Sequence, residues 1–170
     1  NTSFVAAQDL GNLLAVDRNA ISVSSALTTA ADVDWFKFTI DYQMLNLLQG
    51  YNAGGKTWAT IFDIDYADGI SRPDLTLSLF DNLGRLIAVA RDSNIIDDLP
   101  APQEGNDADD LSRGSFGQLD PFLGSMQLEE GQSKTYYVAI SSNATLPREL
   151  DAAFTDAATN RLVRLEPVSS

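Results

Sequence analysis

Along much of this 170-residue chain, apolar and polar residues alternate with the period of a half-buried β-strand. Ile21 to Leu27 (ISVSSAL) alternates apolar with small polar residues and predicts a strand. Val33 to Ile40 (VDWFKFTI) predicts another, with Asp34, Phe36, Phe38 and Ile40 on one face. Val33, Trp35, Lys37 and Thr39 share the other face, and Phe36, Phe38 and Ile40 are expected in the core. Thr57 to Asp65 is a third strand. Asp74 to Phe80 (DLTLSLF) is a fourth, with Leu75, Leu77 and Leu79 inward and Thr76 and Ser78 outward. Asp81-Asn82-Leu83-Gly84 is a turn sequence, so Arg85 to Arg91 returns as a hairpin partner. Leu123 to Leu128 and Lys134 to Ser141 add two strands around the Glu129–Gln132 turn.

Other stretches lack this period. Residues 1–20 read as an opening segment in which Gly11 interrupts any helix. Residues 42–57 contain Gly50, Gly54 and Gly55 and form a long connection, either a short helical turn or a tucked loop. Residues 92–121 are rich in Asp, Gly and Pro and poor in large apolar residues. Loops of that length are uncommon in compact domains unless disordered or functional. After Pro147, RELDAAF fits a short C-terminal helix, and Asn160 to Leu165 a final strand. Seven or eight short strands with Gly- and Asp-rich turns predict an all-β fold, an antiparallel, jelly-roll-like β-sandwich with a long Asp-rich loop. The whole chain, 1–170, reads as one such domain, with 146–170 as an extension or linker.

Composition narrows the chemistry. The chain has no Cys and no His, which removes thiol catalysis, disulfides, zinc fingers and Ser-His-Asp triads. Its net charge is -13, so nucleic acid and anionic membranes are poor partners. No apolar run approaches a membrane span, and membrane insertion is not expected. Of the 24 acidic residues 19 are Asp, and 12 of those lie between Asp63 and Asp120. Asp is short, favours turns and holds hard cations in loops, so the bias points to Ca2+ rather than to a helical acidic surface.

Three groups of carboxylates are candidates for that ion. Asp32 and Asp34 lie two residues apart at a strand start, and same-side carboxylates repel unless a cation or hydrogen-bond donors offset them. Asp63 and Asp65 repeat that geometry, with Asp74 nearby in sequence; Ala67 and Asp68 break an EF-hand pattern there. The richest set is Asp92, Asp97, Asp98, Asp107, Asp109, Asp110 and Asp120, whose loop is long enough to wrap an ion needing six to eight oxygens. Each group has a plain alternative: turn residues, a charge-protected edge strand, and a disordered acidic loop.

The order of elements resembles the bacterial pre-peptidase C-terminal domain. The matching pieces are Asp32-Val33-Asp34-Trp35-Phe36-Lys37-Phe38, the run from Asp74 through Asp81-Asn82-Leu83-Gly84 to Ile87, and Gly131 followed by Tyr136-Tyr137-Val138-Ala139-Ile140. The resemblance covers about residues 1–142, with 92–121 as an insertion. It implies a small β-sandwich on a secreted or cell-surface bacterial protein, acting as a non-catalytic accessory module beside other domains of the same parent chain. In some members it implies calcium sites, and in others binding to collagen or polysaccharide.

Two further functions compete with a calcium-stabilised module. Trp35, facing away from Phe36 and Phe38, and Trp58 offer an aromatic platform for a polysaccharide or an extracellular protein polymer, unless that face is itself covered. A small hydrolase would need a carboxylate pair such as Asp63 and Asp65 or a metal-activated water. Neither competitor has a motif of its own.

Overall fold

The computed structural model describes residues 2–42, 47, 56–64, 74–91, 121–131 and 134–150. Among the described residues seven strands form two sheets: β1 (Gln8–Asn12), β2 (Val33–Thr39), β3 (Thr57–Asp63), β4 (Leu75–Phe80), β5 (Leu86–Ala90), β6 (Phe122–Glu129) and β7 (Thr135–Ser142). One sheet runs in the order β1-β2-β7-β4-β5, and the other pairs β3 with β6. The all-β sandwich expected from the alternation is present. Every pairing is antiparallel except β1 with β2, which is parallel.

The inner core lies between the sheets. Phe38, Ile40, Leu77, Leu79, Ala88, Tyr136 and Val138 from the larger sheet meet Leu123 and Leu128 from the smaller one. Trp58, Phe62 and Met126 pack against them, half-buried. This placement follows from period two, since β2 sends Phe36 and Phe38 to one face and Trp35 to the other.

That other face is also buried. Trp35, Phe80, Ala139 and Leu150 form a second core, with Phe4 and Tyr137 packed against it. All six residues of β4 are therefore buried, including Thr76 and Ser78, which point outward but away from water. Residues 148–150 begin a helical turn after Pro147. Leu150 is 1% exposed, so the chain at 147–150 is part of the sandwich rather than a linker.

Two expectations fail for one reason. Residues 21–27 contain no strand, and β1 appears instead within the opening segment. β1, rather than the alternating stretch at 21–27, takes the edge of β2 opposite β7. Gly11, read as a breaker, sits at φ 83 where the β1 register shifts. The expected strand at 160–165 lies outside the described residues.

The β4–β5 turn forms as its sequence predicts. Asp81 Oδ1 accepts from the amides of Leu83 and Arg85 at 2.9 Å each, its Oδ2 accepts from Arg85 Nε at 2.6 Å, and Gly84 takes φ 74. Asp81→Ala is expected to cost about 1–2 kcal/mol in urea unfolding, because two amides and a guanidinium lose one acceptor.

Candidate functional site

Three predicted carboxylates gather at one end of the larger sheet. β2 and β4 begin there and β7 finishes there, since Val33 and Thr76 both pair with Ser141. Asp32, Asp34 and Asp74 flank those strand starts, yet each has its own partner. Asp32 Oδ2 accepts from the amides of Thr28 (2.8 Å) and Thr29 (3.0 Å) and from Thr28 Oγ1, and its Oδ1 accepts from Thr29 Oγ1 at 2.9 Å. Asp34 accepts from Ser25 Oγ, and Asp74 accepts from Asn143 Nδ2. The repulsion anticipated between Asp32 and Asp34 is offset by hydroxyl and amide donors. Among the described residues no three acidic side chains are grouped so as to hold a metal ion.

The hydroxyl of Thr28, then those of Thr29 and the backbone amides, hold the Asp32 carboxyl below its ordinary value. Such a depressed group stabilises the fold fully above the ordinary carboxylate pKa of about 4, and that contribution disappears as pH falls through the lower folded value. Asp32→Asn is therefore expected to melt below the parent at neutral pH, with the gap closing in acid. A gap unchanged by acid contradicts this. Asp9 follows the same sign, lowered first by the Gly11 amide and then by Lys37, 3.3 Å away.

The opposite end joins the two sheets. Gly131 N donates to Ile40 O at 2.9 Å, and Glu130 N to Lys56 O at 3.1 Å. β3 starts at this junction and ends away from it, with Asp63 paired to Phe122. Asp63 is exposed, and the chain following Asp120 rejoins the smaller sheet beside it. β5 likewise ends one residue before Arg91, so Asp92 follows from the end of the larger sheet where β4 begins. Asp65, Asp92, Asp97, Asp98, Asp107, Asp109, Asp110 and Asp120 lie outside the described residues.

The aromatic platform needs correction. Trp35 is 1% exposed, with Phe80 at 5.2 Å and Phe4 edge-on at 5.5 Å, so it cannot stack on a polymer. The sheet's outer face is covered by Phe4 and Leu150, neither of which the strand pattern could place there. Trp58 is half-buried, and its Nε1 donates to Oε2 of the buried Glu130 at 2.9 Å. Tyr42, 37% exposed, meets Trp58 edge-on at 5.7 Å.

Sequence reasoning missed the buried acids. Glu130 was read as an ordinary turn residue, and Asp41 drew no attention. Asn12 clasps the backbone at Asp41, donating to its carbonyl at 2.6 Å and accepting from its amide at 3.0 Å. Nothing local in the sequence marks these residues, because the partners are 29 and 72 positions apart.

Comparison with protein-family models, with curated proteins and with solved structures gives no match to this chain.

Proposed function

We propose that the chain is a non-catalytic, calcium-binding accessory module of a secreted or cell-surface bacterial protein, of the kind the pre-peptidase C-terminal domain exemplifies. One observation supports this reading. The Asp32–Phe38 piece, the Tyr136–Ile140 piece and the Asp74–Ile87 piece fall on β2, β7, β4 and β5, four consecutive neighbours of one sheet. Pieces as far apart in sequence as Asp32 and Ile140, 108 positions, thus lie in a single continuous layer.

Calcium is supported by where the acid-rich stretch attaches. It leaves after β5 and returns beside the exposed Asp63, at strand ends already bearing carboxylates. A hard cation there would join strand-end acids to loop acids and relieve the repulsion of a chain with net charge -13. Calorimetric titration of metal-stripped protein tests this. Saturable calcium binding that magnesium does not mimic, weakened about tenfold or more by Asp63→Asn, is expected. Heat no larger than dilution removes the calcium part of the proposal.

Among the described residues the polymer-binding alternative rests on Tyr42 and Trp58, while Tyr51 and Tyr66 lie outside them. Retention on cellulose, chitin or collagen, lost on Trp58→Ala, is its expected signature. No retention on any of the three removes it.

A further inference from the structure

Residues 2–15 form an arm along the β2 edge of the larger sheet, reaching both its outer face and the inner core. Ser3 caps the turn Phe4–Ala6, in which Val5 is 96% exposed and only Phe4 reaches inward. The Phe4 ring stacks on Tyr137 at 4.0 Å and 23° and meets Trp35 edge-on. β1 is an edge strand held in parallel register by three residue pairs, Gln8 with Phe36, Asp9 with Lys37 and Asn12 with Thr39. Leu10, Leu13 and Leu14 pack half-buried on the inner core, and Asn12 clasps Asp41. No residue of these arm elements is fully buried, so each arm side chain keeps one side open to solvent.

The arm ends at a strained corner. Arg18 (φ 55) and Asn19 (φ 52) are consecutive left-handed residues, and among the described residues no other non-glycine residue has positive φ. Left-handed backbone is unfavourable for a side chain such as that of Arg. Residues 20–27 follow as irregular, mostly exposed chain. Opening the corner into extended backbone would release its strain and carry the arm away from its own sandwich. Every contact the arm loses is available, unchanged, on a second copy of the chain.

We infer that two copies of this chain exchange residues 2–15, each Phe4 entering the partner's Trp35–Tyr137 pocket and each β1 pairing with the partner's β2. Arm contacts are equal in the monomer and the exchanged dimer. Hinge strain favours the dimer, while association entropy and the repulsion between two chains of net charge -13 oppose it. The dimer is thus a high-concentration form whose share rises with salt.

The chain has no cysteine, so an introduced pair reports arm pairing cleanly. Asp9→Cys chains and Lys37→Cys chains are mixed, unfolded and refolded together at micromolar and at millimolar concentration, then oxidised. A dimer in native mass spectrometry linked between positions 9 and 37 is expected at the higher concentration. A chain carrying both substitutions is the control for closure within one molecule. Without cysteines, Arg18→Gly with Asn19→Gly is expected to lower the dimer share of the otherwise unmodified protein about tenfold, since glycine removes the strain that opening relieves. Phe4→Ala is expected to speed exchange without changing that share. Three results overturn the inference: monomer at every concentration, a dimer without the 9–37 link when the control closes, or a dimer share that the hinge glycines leave unchanged.

Discussion

Trp35→Ala is expected to lower the unfolding free energy by about 3–5 kcal/mol, the cost of truncating a buried Trp in a packed core. The ring is 1% exposed and touches Phe4 and Phe80 at ring-centroid distances of 5.5 and 5.2 Å. Removing it takes apolar surface out of contact and leaves a cavity that β2, hydrogen-bonded on both sides, can only partly close. Urea unfolding followed by far-ultraviolet circular dichroism measures the loss. A surface platform residue would instead change stability by about 0.5 kcal/mol or less. A value that small contradicts the second core.

Leu150→Ala is expected to cost about 2–5 kcal/mol in the same measurement. Leu150 closes the outer core with Trp35, Phe80 and Ala139. Its loss also exposes part of the face on which Thr76, Ser78 and Ser141 lie fully buried. The two variants share this cluster, so the double variant should lose less than the sum of the single losses. Full additivity, or a neutral Leu150→Ala, means that the chain beyond β7 does not hold the outer face.

Much of the larger sheet was legible because period two survives wherever one face meets a core. β2, β4, β5 and β7 each begin and end within one residue of the sequence expectation. What the pattern lacked was knowledge of the far side. Thr76 and Ser78 look like solvent-facing residues, yet both are fully buried on the face where Leu150 and Phe4 pack. β1 was hidden because Gly11 reads as a breaker and Leu10 is the one large apolar residue of its five. Residues 21–27 alternate well, yet β1 and not this stretch occupies the edge of β2. Competition for an edge is a property of the assembled sheet, not of either segment.

The candidate site was legible in part. The Asp32–Asp34 spacing implies a need for a cation or hydrogen-bond donors, and the structure places Thr28, Thr29 and Ser25 as donors there. Those hydroxyls stand nine positions before Asp34 or three to four before Asp32, within reach of a local reading of Ser- and Thr-rich turns. The Trp58–Glu130 bond was not legible, because it depends on β3 pairing with β6.

The measurement that bears most directly on the proposed function is a thermal melt of protein shown metal-free by elemental analysis, with and without millimolar calcium, and with magnesium as control. Binding to the folded state at 100 times Kd adds about 2.7 kcal/mol, which raises the midpoint by several degrees in a chain of this size. A rise with calcium that magnesium does not reproduce is the expected result. Equal midpoints in all three conditions would contradict calcium binding and leave the Asp-rich stretch as solvating charge.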